Sequence, residues 1–128
     1  MHHSIAIVGS GPAGFYAAEA IAKARPDAHV DIFDRLPTPY GLVRSGVAPD
    51  HQGTKNVWRV FQRTAHRPSV RFLGNVEMGR DVSLAELRDI YDAVVLAIGA
   101  PVDKHLGVPG EHLRGVMGSG PFTAWYNG

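Results

Sequence analysis

A three-layer α/β fold on a parallel sheet is predicted by three features of this 128-residue sequence. Ile5-Ala6-Ile7-Val8 is an unbroken apolar run closed by a glycine, the pattern of a strand buried on both faces. A glycine-rich turn, Gly9-Ser10-Gly11-Pro12-Ala13-Gly14, leads from it into an alanine-rich segment. Further apolar runs of strand length then alternate with helical patterns, which is the order that builds parallel sheets.

The elements follow in turn. Residues 13–25 read as a helix with Gly14, Ala17, Ala18 and Ile21 on one face, small enough to lie close to a sheet. Pro26 ends it, because the residue before a proline avoids the helical region. Val30-Asp31-Ile32-Phe33-Asp34 is the second strand. Residues 36–54 show no periodicity and carry Pro37, Pro39, Gly41, Gly46, Pro49 and Gly53, so a long ordered loop is expected, of the kind that usually serves function. Residues 55–67 read as a helix facing inward through Val57, Val60, Phe61 and Ala65. A third strand follows over 70–73, and residues 75–78 suggest a small β side hairpin. Ser83-x-x-Glu86 is a capping box that opens a short helix to Ile90. Residues 93–98 form another buried strand, ending at Gly99, and 122–126 begin a last helix.

Composition excludes several classes of function. With no cysteine there is no disulfide framework, zinc finger or thiol nucleophile. A formal net charge of +1 argues against a nucleic-acid binder that works by bulk charge. The seven histidines show no metal-ligand spacing, and no G-x-S-x-G marks a hydrolase. The longest apolar stretch, 93–100, is far short of the ~18 residues of a membrane span. No secretory leader is visible, so no membrane association and a cytoplasmic location are expected.

The glycine turn carries the chemistry. G-x-G-x-x-G alone is a weak signal, but here a strand precedes it, a helix follows it, and Asp34 ends the next strand twenty residues after Gly14. Gly9 permits the tight turn, Gly11 lets a diphosphate approach bare backbone, and Gly14 lets helix and strand pack closely. Pro12 and Ala13 open a helix whose unpaired N–H groups and positive dipole end point at the phosphates. Asp34 is placed to accept from ribose hydroxyls and to repel a 2′-phosphate, so FAD or NAD is expected here rather than NADP. Gly99, after a strand expected beside the first, gives room at the same crevice. The plainer reading is a tight strand–helix turn with Asp34 as a surface charge and Gly99 as a simple strand end.

Several segments resemble the adrenodoxin-reductase type of ferredoxin–NADP reductase. They are the turn at Ala6-Ile7-Val8-Gly9-Ser10-Gly11-Pro12-Ala13-Gly14, the whole loop over 36–51, Gly74-Asn75-Val76, Leu106-Gly107-Val108-Pro109-Gly110-Glu111, and the closing Trp125-Tyr126-Asn127-Gly128. The loop is the specific part. The resemblance implies a Rossmann-like FAD/NAD(P)-binding fold, with FAD held near Ala13, Asp34, Leu42 and the backbone of Met78. Gly41 and Arg44 belong to the same cofactor loop. Arg44 is open to two readings, a phosphate partner or a cap on its own loop. Two positions depart from the family: Asp34 stands where Glu is frequent, and Met78 where a smaller apolar residue is usual.

The resemblance further implies NADP(H) at a second site and an acidic ferredoxin-like iron–sulfur protein as electron partner. Family members are several times longer, so residues 1–128 are expected to be an N-terminal FAD-binding portion, without the NADPH domain or the returning flavin segment. A separate chain carrying the NADPH domain is then a possible partner. Alone, the chain is expected to bind FAD with little turnover and to supply no catalytic acid or base. The alternatives are an NAD-dependent dehydrogenase domain and a non-enzymatic dinucleotide-binding remnant. Lys55, Arg59, Arg63 and Arg67 recur every four residues as a basic stripe. It reads either as a dock for the acidic partner or as a solvated helix face. Trp58 and Trp125 are expected to be packing residues.

Overall fold

The computed structural model describes residues 2–128. Four parallel strands, β1 (Ser4–Val8), β2 (His29–Phe33), β3 (Val70–Leu73) and β4 (Ala93–Leu96), lie in the order β3-β2-β1-β4. β1 is central, with Val8 level with Phe33 on one side and with Leu96 on the other. That position explains its continuous apolar run, since both faces and both edges are covered.

Alternate strand residues build two separate cores. Ile7, Val30, Ile32 and Val70 point to one face, where Phe15 and Ala18 of α1 (Pro12–Ala24) and Phe61 of α4 (Trp58–Ala65) close over them. Ala6, Val8 and Phe33 point to the other, against Leu87 of α5 (Leu84–Ile90). The result is the expected three-layer arrangement. On the α5 face, one carboxylate is buried among these apolar groups. Asp31 accepts hydrogen bonds from Arg71 Nε and Nη2 at 2.8 and 2.6 Å and from the Tyr91 hydroxyl at 2.7 Å.

α5 starts on the capping box. The Ser83 hydroxyl oxygen accepts from the Glu86 N–H at 3.1 Å, and the Glu86 carboxylate accepts from the Ser83 N–H at 2.8 Å. Ser83→Ala is expected to lower stability by about 1 kcal/mol in urea unfolding, because it strips a donor of its only local partner.

Three details differ from the sequence reading. The 36–54 loop contains two single-turn helices, α2 (Leu42–Ser45) and α3 (Gln52–Lys55). Lys55 closes α3, so the helix expected over 55–67 starts only at Trp58. The side hairpin reduces to one bridge between Met78 and Val82, with the Gly79 N–H donating to the Val82 carbonyl at 2.7 Å.

The last thirty residues are loosely attached. α6 (Ser119–Tyr126) is tied down by the Asn127 side-chain amide, which donates to the Ser45 carbonyl at 3.1 Å, and by Asp103, which accepts from the Gly120 N–H. Val102 is 81% exposed and Trp125 75%, so Trp125 is not the packing residue expected of it. Trp58, in contrast, packs against the α1–α4 core. Among the described residues no helix is long and apolar enough to cross a membrane.

Candidate dinucleotide-binding crevice

The glycine turn leaves β1 through Gly9, whose φ of +110° lies in the left-handed region. Its N–H donates to the Phe33 carbonyl at 2.8 Å, and a Cβ there would lie 2.2 Å from the Ala97 carbonyl oxygen. β4 ends at Leu96, two residues before the expected end of that strand, although the Ala97 N–H still donates to the Val8 carbonyl at 2.7 Å. A Cβ on Gly14 would lie 2.0 Å from the Gly9 carbonyl oxygen, so α1 crosses the strand end at backbone contact. Gly11 is different. It has an ordinary φ of −74°, and a Cβ there would meet nothing within 4 Å.

Gly11 caps α1 with no side-chain hydrogen bond, and Pro12 occupies the first turn. The N–H groups of Ala13 and Gly14 have no acceptor among the described residues. A helix start of this kind attracts anions through its free donors and its dipole.

Asp34 sits just beyond β2 and is tied to the turn. Its Oδ2 accepts from the Ser10 N–H at 2.9 Å and from the Ser10 hydroxyl, and its Oδ1 accepts from the Leu36 N–H at 3.0 Å. A carboxylate offers about four acceptor sites. Three are used, which leaves one for an incoming hydroxyl. Ser10, fully buried, was not singled out from sequence, since the second position of such a turn carries no pattern of its own.

Beside this turn, at the carboxyl ends of the strands, lies a cleft of about 250 Å³. Val8, Phe33, Val76, Met78 and Ile98 give it apolar walls, and Gly9 and Asp34 form its inner edge. Gly99, with φ of +67°, stands between the lining residues Ile98 and Pro101. The structure thus gathers Gly9, Asp34 and Met78 at one cleft, with Gly11, Pro12, Ala13 and Gly14 at the adjoining helix start. Gly41 joins them from the loop, because a Cβ on it would lie 2.9 Å from the Gly11 Cα. The loop is held there by the Tyr40 N–H, which donates to the Ser10 carbonyl at 3.0 Å, while the Tyr40 ring meets Phe15 at 5.3 Å. Tyr40 also went unnoticed in the sequence.

Leu42 and Arg44 do not line this cleft. Leu42 is exposed on α2. Of the two readings of Arg44, the structure displays the loop cap: Nε donates to the Pro39 carbonyl at 3.0 Å and the guanidinium lies 5.5 Å from the centre of the Tyr40 ring.

A flavin dinucleotide fits the chemistry of what is present: open backbone at Gly11, two unpaired N–H groups, one free acceptor site on Asp34 and apolar walls beside it.

The basic stripe does not survive intact. Arg67 is bound to Glu19 of α1 by two hydrogen bonds of 2.8 and 2.9 Å, and Thr64 donates to the same carboxylate at 2.9 Å. These hydrogen bonds, the one from Arg67 foremost, hold the Glu19 carboxyl at about 2, well below the usual 4.5. Lys55 Nζ donates to the Val43 and Arg44 carbonyls. Only Arg59 and Arg63 remain exposed without a carboxylate partner among the described residues. The Glu19 pair stabilises the fold fully above pH 4.5 and is lost as pH falls toward about 2. In Glu19→Gln the thermal midpoint is therefore expected to fall less between pH 5 and pH 3 than in the parent chain. Circular-dichroism melts at both pH values check this.

Comparison with known proteins agrees with this geometry. The profile of the NAD(P)-binding Rossmann-like domain family matches residues 7–73. Over 124 residues the chain is 59% identical to NADPH:adrenodoxin oxidoreductase, mitochondrial, of Arabidopsis thaliana, covering 97% of this chain and 26% of that protein. It is 49% identical to NADPH-ferredoxin reductase FprA of Mycobacterium leprae, covering 98% of this chain and 28% of the relative. The structure of Mycobacterium tuberculosis FprA in complex with NADPH superposes with a TM-score of 0.94 at 48% identity, over 99% of this chain and 29% of that one. The chain thus spans about a quarter of the length of the curated relatives it matches. The strand–turn–helix at Gly9 to Gly14 lies inside the matched region, the chain is similar over nearly its whole length to adrenodoxin-reductase-type proteins, and it belongs to the family of NAD(P)-binding Rossmann-like domains.

Proposed function

We propose that this chain is the FAD-binding portion of a ferredoxin–NADP reductase, in which electrons pass from NADPH through FAD to an iron–sulfur protein. The observation that supports this most is the contrast among the three glycines of the turn. Two are closed by backbone contact, and the third, Gly11, opens onto free helix N–H groups beside a carboxylate fixed by Ser10.

The residues then have distinct tasks. Ala13 and Gly14 N–H groups hold the diphosphate, and the last acceptor site of Asp34 takes a ribose hydroxyl. Val8, Phe33, Met78 and Ile98 exclude water around the adenine end. Gly41 and Leu42 carry the loop along the cofactor, and Gly99 leaves room at the end of β4. Bound FAD supplies the conversion of a two-electron hydride donor to one-electron transfer. No side chain of this chain is assigned a proton transfer. NADPH is met by a part of the enzyme outside residues 1–128, in the same chain or in a separate one. Arg59 and Arg63, left unpaired on α4, are the part of the stripe that offers charge to an acidic iron–sulfur partner.

The purified chain, titrated with FAD and desalted, is expected to retain the visible flavin spectrum and to prefer FAD over NAD by at least tenfold. Tighter binding of NAD would favour the dehydrogenase reading instead. Steady-state NADPH oxidation by the 128 residues alone at the rate of a complete relative would overturn the assignment of little turnover.

A further inference from the structure

A second cleft, of about 470 Å³, opens on the far side of the cofactor loop, between α2 and α4. Its walls are Tyr40, Val43, Arg44, Lys55, Trp58 and Gln62. It shares no lining residue with the crevice at the strand ends. We infer that it is a separate site for a mononucleotide-sized ligand, an aromatic heterocycle that carries a phosphate.

Four features carry this assignment. The size falls within the range of small-ligand sites, roughly 300–1,000 Å³. The lining holds two cations and no carboxylate, and both cations are already fixed in place. Lys55 Nζ is anchored on the Val43 and Arg44 carbonyls at 3.2 and 2.9 Å, which uses two of its three N–H bonds. Arg44 is anchored by Nε on the Pro39 carbonyl and by its contact with the Tyr40 ring, and its two terminal nitrogens have no partner among the described residues. Those groups form a preorganised pair of positive donors of the kind that holds a phosphate.

The remaining lining suits a flat ring rather than a bare anion. Trp58, half-buried against the core, presents aromatic surface held by its packing. Gln62 brings one amide that both donates and accepts, which matches the edge of a heterocyclic base. A free phosphate would leave this half of the cleft unused. The assignment does not rest on the flavin reading, because none of its residues belongs to the glycine turn.

Trp58 provides a direct reporter once the exposed Trp125 is replaced by Phe. In that background, adenosine monophosphate is expected to change the Trp58 fluorescence saturably, and adenosine or inorganic phosphate to bind at least tenfold more weakly. Gln62 is exposed on α4, so charge can be changed there without touching the core. Gln62→Glu is expected to weaken the nucleotide at least tenfold, and Gln62→Lys to hold or strengthen it. Met78→Trp, which crowds the other crevice from the α5 face of the sheet, is expected to leave the affinity unchanged. The proposal is overturned if adenosine monophosphate gives no saturable change at millimolar concentration, if Gln62→Glu binds as well as the parent, or if Met78→Trp abolishes the signal.

Discussion

Gly14→Ala is expected to cost about 3 kcal/mol or more, a large share of the stability of a domain this size, while Gly11→Ala changes stability by less than about 0.5 kcal/mol. The two positions stand three residues apart in the same turn. At Gly14 the new methyl would press on the Gly9 carbonyl oxygen at 2.0 Å. That atom belongs to backbone pinned on both sides, by the Gly9 N–H bond to Phe33 and by the approach of Ala97. No rotamer change relieves such a contact, so α1 must lift away from β1 and open the core around Ile7 and Phe15. At Gly11 the methyl enters open space on a backbone that any residue adopts, and it reduces the freedom of the unfolded chain slightly. The space it enters is where a diphosphate would lie. Urea unfolding should therefore register Gly14→Ala alone, and an FAD titration should show at least a tenfold loss for Gly11→Ala. Equal stability losses at the two positions would contradict this division.

Asp31→Ala is the second large effect, about 2–3 kcal/mol, with a recognisable dependence on pH. Burial pushes the Asp31 carboxyl up, but the hydrogen bonds from Arg71 and Tyr91 outweigh it and hold the group below its ordinary 3.8. Burial and the same carboxylate push the Tyr91 hydroxyl from 10 to about 12. The Asp31 contribution is thus present above pH 3.8 and lost as pH falls below it. The Tyr91 contribution is present below pH 10 and lost as pH rises toward about 12. Removing the carboxylate leaves a half-buried phenol without its acceptor, removes the acid limb and weakens the alkaline one, where burial of Tyr91 still acts. Unfolding free energies measured from pH 3 to pH 11 should show a smaller variation in Asp31→Ala than in the parent. A parent-like profile in the variant would mean that the cluster is idle.

The first half of the fold was legible because its signals are local. The strand, the turn and the alanine-rich helix follow from adjacent residues, and the capping box at Ser83 announces α5 by itself. The acid twenty residues after Gly14 lies on the edge of the cleft beside the turn. What it did not convey is that Ser10 and Leu36 already occupy most of the Asp34 carboxylate, since those bonds depend on how β2 meets the turn. Long-range pairing also explains the misread stripe. A repeat of four predicted one basic face, but Glu19, 48 residues before Arg67, takes that arginine, and the turn at Asn56 and Val57 sets Lys55 on a different helix. Asp31 gave no warning either: a charge inside Val30-Asp31-Ile32-Phe33 reads as an anomaly until Arg71 and Tyr91 arrive from β3 and the end of α5.

The division of the core between the two sheet faces bears on how the chain is made. Every buried residue of the α1–α4 face lies between Ile7 and Val70. The opposite face waits for Leu87, and its acidic group waits for Tyr91. A ribosome adding about 5–20 residues per second delivers those partners one to several seconds after the last buried residue of the first face, and Val95 and Ala97, which flank that face, come later still. During that interval the nascent polypeptide carries one largely assembled half-core with Val8, Asp31 and Phe33 still bare, and this is the window in which a chaperone has something to hold.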